Sequence, residues 1–207
     1  MSNIWFLNGL RKGIKTEKFP ASPPEEPPLW PSRLTGEGDT TCPVGAIEEG
    51  KWDREKCIYC RRCMPNFRPT GDQRIYTVQK VSPLFKKSFH IYPLDSGACG
   101  ACNIELQNIF APQYDANRFG IFLTNTPRHA DAIVIMGVYT SGMEEALRLA
   151  YEAMPEPKLV IALGACALTG GIMGKAPLQH SEYNVRIAGC PPSPYTILFA
   201  LLDARGD

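Results

Sequence analysis

Eight cysteines in 207 residues constrain this chain more than any other feature. They fall into two sets. Cys42, Cys57, Cys60 and Cys63 lie early in the chain, and Cys99, Cys102, Cys166 and Cys190 are spread over the remainder. Residues 4–7 form too short an apolar run for a secretory signal. No apolar run approaches the roughly 18 residues of a spanning helix. The expected setting is therefore intracellular and reducing, which disfavours four disulfides and leaves the thiols as soft metal ligands. A formal net charge of +1 gives no field for nucleic acid.

Spacing then selects the metal. Cys57-Ile-Tyr-Cys60-Arg-Arg-Cys63 is a C-x2-C-x2-C run, the ligand pattern of a [4Fe–4S] cluster. In bacterial ferredoxins the fourth cysteine of such a run, followed by proline, ligates the other cluster of a pair. The fourth position here is Phe67, which cannot ligate. Cys42-Pro43 has the form of a preceding motif's ending, but that motif's other positions are Ser32, Thr35 and Gly38. The crossover rule accounts for both absences. Cys42 joins Cys57, Cys60 and Cys63 around one cluster, and the second cluster of an ancestral pair has lost all its ligands.

The second half alternates in pattern. Strands are expected over 88–92, 120–123, 132–136, 159–163 and 185–187. Helices are expected over 103–110, over 141–154 with Ser141 as its cap, and over 194–204. Such alternation predicts an α/β fold with a mainly parallel sheet. Cys99, Cys102, Cys166 and Cys190 all lie just past the carboxyl ends of expected strands, where open α/β sheets bind ligands. Glycines flank them, including Gly97, Gly100, Gly164 and Gly189, and allow close backbone approach. Zinc sites usually use two short cysteine pairs. One C-x2-C pair with two distant single cysteines better suits a second [4Fe–4S] cluster.

Several stretches together resemble a known family. Asp95-Ser-Gly-Ala-Cys99-Gly-Ala-Cys102-Asn-Ile-Glu105 resembles the start of the small, proximal-cluster subunit of membrane-associated [NiFe] hydrogenases of the energy-converting or formate-hydrogenlyase type. So, in order, do Tyr114-Asp-Ala-Asn-Arg-Phe-Gly120, Pro127-Arg-His-Ala-Asp131, Gly164-Ala-Cys166 and Gly189-Cys190-Pro191-Pro192. The resemblance spans residues 89–202. The complex I subunit holding the terminal cluster before quinone is related, but it has two adjacent cysteines where this chain has C-x2-C. Residues 13–65 resemble the two-cluster ferredoxin subunit of the same complexes, here shortened to one cluster and fused.

The resemblance implies an α/β fold with a flavodoxin-like sheet, preceded by a small ferredoxin-like iron–sulfur segment. The implied division is an extended, amphipathic arm over 1–31, a one-cluster segment and linker over 32–88, and the proximal-cluster domain over 89–207. The function implied is electron transfer through two [4Fe–4S] clusters to or from the Ni–Fe centre of a partner large subunit. The equivalent subunit of a complex I-like quinone reductase or a related non-hydrogenase respiratory complex is the alternative, and a stand-alone ferredoxin-like carrier or zinc protein the simpler rival. Implied partners are that large subunit, further ferredoxin-like and membrane subunits, and a ferredoxin or formate-oxidising electron donor. The implied location is the cytoplasmic face of the cell membrane. Glu105, one helical turn after Cys102, is the candidate proton relay. Arg128 is expected near the large-subunit interface and His129 as a structural residue. Arg61, Arg62, Arg68 and Arg74 form a basic face, either merely solvated or open to an acidic redox partner.

Overall fold

Strands of only two or three residues shape the cysteine-rich segment into two small antiparallel pairs. The computed structural model describes residues 31–38, 40–97 and 99–206. The arm expected over 1–31 lies outside the described residues except for Pro31. β1 (Leu34–Gly36) pairs with a later strand, and β2 (Ile47–Glu48) turns through Glu49-Gly50 into β3 (Lys51–Trp52). Both turn residues have positive φ, which suits a tight hairpin. The partner of β1 is β4 (Phe67–Pro69), which places Gly36 opposite Phe67. Leu34, Ala46, Ile47, Cys57 and Phe67 form the core of this segment.

The apolar runs of the second half become a six-stranded sheet. β5 (Tyr76–Val78) forms one edge. Then come β6 (Phe89–Asp95), β7 (Ile121–Leu123), β8 (Ala132–Met136), β9 (Leu159–Leu163) and β10 (Val185–Ile187). The order across the sheet is β5-β10-β9-β8-β6-β7. All pairings are parallel except β5 with β10. Without β5 this is the 2-1-3-4-5 order of flavodoxin-like folds. β5 falls inside the stretch read from sequence as segment and linker, so the sheet starts before residue 89.

Among the described residues, four α-helices cover the sheet: α1 (Ala101–Asn108), α2 (Glu144–Ala153), α3 (Ala165–Thr169) and α4 (Pro194–Arg205). Strand side chains alternate between the faces, as a two-residue period requires. On one face Val134, Met136, Ile161 and Leu163 pack with Leu106 of α1 and Ile197 and Leu201 of α4. On the other, Ile133, Ile135 and Ala162 pack with Ala150 of α2 and Ala167 and Leu168 of α3. α4 carries its own boundary signals. Ser193 Oγ accepts the Thr196 N–H, Pro194 opens the helix and Gly206 closes it at φ +82°.

Two expectations change. The helix expected from residue 141 begins with a 3₁₀ turn, Ser141–Met143, and Ser141 does not cap it. Thr140 stands at the capping position, and its hydroxyl is engaged elsewhere, donating to the Ser96 carbonyl at 3.1 Å. α3 forms just past β9, where no helix is expected from sequence. Among the described residues, no helix is long and apolar enough to cross a membrane.

Candidate metal centres

The later cysteines lie at the carboxyl end of the parallel sheet. After β6 the chain is held by Asp95, whose carboxylate accepts the Gly97 N–H and the Asn103 side-chain amide, both at 3.0 Å. These bonds fix the turn that presents Cys99 and the first turn of α1, which carries Cys102. Cys166 lies in α3, just past β9. Cys190 follows β10 and leads into a cis bond to Pro191. The backbone path of Gly164 is essential to the arrangement. It has φ +89°, and a Cβ there would stand 2.5 Å from Cys102 Sγ.

Electrostatics shows these thiols to be neighbours. Burial pushes the Cys102 thiol up to about 12, and Cys190, Cys166 and Cys99 add to the shift in that order. Burial likewise raises Cys166, with help from Cys190 and Cys99, and raises Cys190, with help from Cys99. Cys102, Cys166 and Cys190 thus resist becoming thiolates beside their neighbours unless positive charge offsets the repulsion.

The early cysteines form a second such set. Cys42, Cys57, Cys60 and Cys63 line one small hollow with Pro43 and Val44. Burial raises Cys57 to about 11, with Cys63 and Cys42 contributing. It also raises Cys63, which senses Cys60 and Cys42. Backbone donors face the sulfurs: Ala46 N–H to Cys42 Sγ at 3.2 Å and Tyr59 N–H to Cys57 Sγ at 3.4 Å. Tyr59 and Arg61 take φ of 52° and 65°, so the run is wound tightly between its cysteines. At the positions read as lost ligands, Phe67 fills the core, Ser32 Oγ accepts the Gly71 N–H, and Thr35 is an exposed residue of β1.

The donor sets fit an iron–sulfur group. All eight cysteines are free thiols, and soft sulfur donors suit iron bound to sulfide. The indole Nε1–H of Trp52 is buried without a completed hydrogen bond, and its influence on Cys57 favours the thiolate. An orphaned donor beside thiols suits a site meant to hold extra negative sulfur. The thiols are not drawn around a single point. Among the described residues, no three His, Cys, Asp or Glu side chains are gathered tightly enough to hold one metal ion.

A cleft of about 290 Å³ is lined by Tyr59 and Arg61 of the early cysteine run and by Glu105, Cys190 and Pro192 of the sheet domain. Glu105 is half-buried there, and its charge adds to the burial and the Tyr195 interaction that raise the Tyr114 phenol. Arg128 and His129 are both exposed in a 3₁₀ turn. Arg61 and Arg62 are exposed, and Arg74 lies 5.6 Å from the centre of the Phe199 ring. Arg68 sits at the middle of β4. Sequence reasoning assigned no role to Asp95, Trp52 or Glu55. Asp95 carried a signal, an acidic residue followed by Ser-Gly just before Cys99; the other two carried none.

Residues 99–204 match the family described as the 20 kDa subunit of NADH ubiquinone oxidoreductase. The chain is 37% identical over 131 residues to a probable membrane-bound hydrogenase subunit of Pyrococcus furiosus, covering 60% of this chain and 78% of that one. It is 37% identical over 141 residues to an NADH-quinone oxidoreductase subunit of Citrifermentans bemidjiense, covering 65% and 82%. It is 35% identical over 133 residues to formate hydrogenlyase subunit 7 of Escherichia coli, covering 58% of this chain but only 50% of that protein.

Proposed function

The chain belongs to the family of the 20 kDa subunit of NADH ubiquinone oxidoreductase, and from that premise we propose that it relays electrons through two [4Fe–4S] clusters. Cys42, Cys57, Cys60 and Cys63 would hold an inlet cluster, and Cys99, Cys102, Cys166 and Cys190 the cluster beside a catalytic partner. When bound, such a group supplies reversible one-electron storage. The residues of this chain set its working range. Ala46 and Tyr59 N–H groups donate to ligand sulfurs, Gly164 leaves room for Cys102, and burial of Cys57 and Cys102 excludes water.

The observation that carries this reading is the gathering of the cysteines into two four-thiol sets: Cys42, Cys57, Cys60 and Cys63 line one hollow, and Cys99, Cys166 and Cys190 all act on the buried Cys102. The partner is a large subunit with a Ni–Fe centre, where two electrons and two protons form H2 or the reverse. Electrons enter from a ferredoxin or a formate-oxidising subunit. Glu105, half-buried in the cleft, relays protons. The assembly sits on the cytoplasmic face of the membrane, and this chain makes and breaks no substrate bond. The C-x2-C spacing of Cys99 and Cys102 favours the hydrogenase branch. The likeness to an NADH-quinone oxidoreductase subunit supports the second reading, a complex I-like reductase.

Purification of the native complex tests both. Two cubanes require about eight irons per copy of this chain and two resonance signals on reduction; fewer irons count against the relay. A co-purifying large subunit with two C-x2-C pairs supports Ni–Fe, and one without them supports the reductase reading.

A further inference from the structure

Residues 52–59 lead into the C-x2-C-x2-C run and are fastened to the sheet domain at several points. Trp52 and Tyr59 pack against the core on the face covered by α2 and α3. Arg54 Nη2 donates to Thr77 Oγ1 of β5 at 2.6 Å. Glu55 makes the central polar join. Its Oε1 stands 3.2 Å from Arg186 Nε on β10, and its Oε2 stands 3.5 Å from His180 Nδ1. Its backbone carbonyl accepts from Thr169 Oγ1 of α3 at 3.5 Å. The other ring nitrogen of His180 meets the Leu168 carbonyl, again on α3, at 2.9 Å. The Glu55 and Arg186 side chains are only 13% and 17% exposed.

The elements joined are those that carry cysteines. Glu55 is followed closely by Cys57. α3 contains Cys166, and β10 leads directly to Cys190. A single residue therefore ties the early cysteine loop to two of the segments that hold the later set. An ion pair this far from water adds little net stability, because desolvation offsets the attraction. It does discriminate between arrangements, since any slippage leaves a poorly solvated charge without its partner.

We propose that Glu55 is a positioning residue that sets the separation and orientation of the early four-cysteine loop relative to the later set. The inference rests on the two-cluster reading above. One electron at a time passes across this join. Oxidation on the Cys42 side is matched by reduction on the Cys99 side, with no bond made and no proton moved. Electron transfer between fixed centres falls steeply with distance, so a small loss of registration is felt as a slower rate.

The test uses the native complex with Glu55→Gln, Arg186→Gln and the double variant. The expected result is full iron content and both resonance signals in every variant, with the magnetic interaction between the reduced centres narrowed or lost. Electron passage from inlet to outlet slows several-fold. The double variant is no worse than either single one, because both remove the same pair. A merely stabilising ion pair would leave the magnetic interaction and the rate unchanged, and that result overturns the proposal. Should Glu55→Gln lose inlet iron, Arg186→Gln, on the other side of the pair, decides by the same two readouts. Too little iron in the unsubstituted complex removes the relay and this inference together; unchanged coupling in the variants removes the inference alone.

Discussion

Three residues near the sulfurs have separable roles. Gly164 is required by geometry, since its φ of +89° and the 2.5 Å approach to Cys102 Sγ leave no room for a methyl group. Gly164→Ala should deplete the outlet centre while the inlet resonance persists. Cys42 lies far from the C-x2-C-x2-C run in sequence but lines the same hollow. Cys42→Ala should abolish the inlet signal and remove about four irons while sparing the other centre; survival of both signals would show that the crossover assignment is wrong. Trp52 supplies a buried indole N–H that favours negative charge on Cys57. Trp52→Phe keeps the edge-on ring contact with Tyr59, 6.3 Å between centroids, and removes only the donor. The inlet midpoint potential should fall with iron content unchanged, because losing a buried donor that favours negative charge destabilises the reduced, more negative state. Redox titration of the purified complex reads this directly.

At the scale of elements, legibility followed length. The strands at 132–136 and 159–163 are readable because five buried apolar residues in a row leave little choice. Ile161, fully buried at the centre of β9, should cost about 2–5 kcal/mol when cut to Ala, measured by denaturant unfolding. α3 is not readable in this way. Its five residues sit between Gly164 and Gly170, and distant groups hold it in place. The buried hydroxyl of Tyr183 donates to the Ala167 carbonyl at 2.8 Å. Tyr183→Phe leaves that carbonyl without its donor and should destabilise the protein by about 1–3 kcal/mol. β5 escapes sequence reading for the same reason: three residues in a polar stretch become a strand because the edge of β10 offers them a partner.

For the whole molecule, the buried thiols link stability to pH and to metal. Cys57 and Cys102, raised to about 11 and about 12 from an ordinary value of 9.0, stay protonated in the folded metal-free chain. Unfolding lets them ionise more easily. Their contribution to stability is therefore complete below pH 9.0 and is lost as pH rises towards the folded values. Thermal melts of the metal-free chain should show falling stability above that pH. Metal binding removes the thiol protons, so the loaded chain should lack this alkaline loss. Equal alkaline sensitivity with and without metal would count against thiolate ligation.

The sequence by itself determined that eight thiols divide into two sets, that one set follows parallel strands, and that the sheet is of the α/β kind. These properties live in local spacing and in periodicity, which can be counted along the chain. Only the tertiary structure decided where the early cysteine loop rests. Tyr59 and Arg61 reach the cleft that holds Glu105 and Cys190, and Glu55 meets Thr169, 114 positions away in sequence. No local pattern encodes such a meeting. It arises because the fold brings β10, α3 and the early loop together, where the poorly solvated carboxylate of Glu55 is paired with Arg186 and His180.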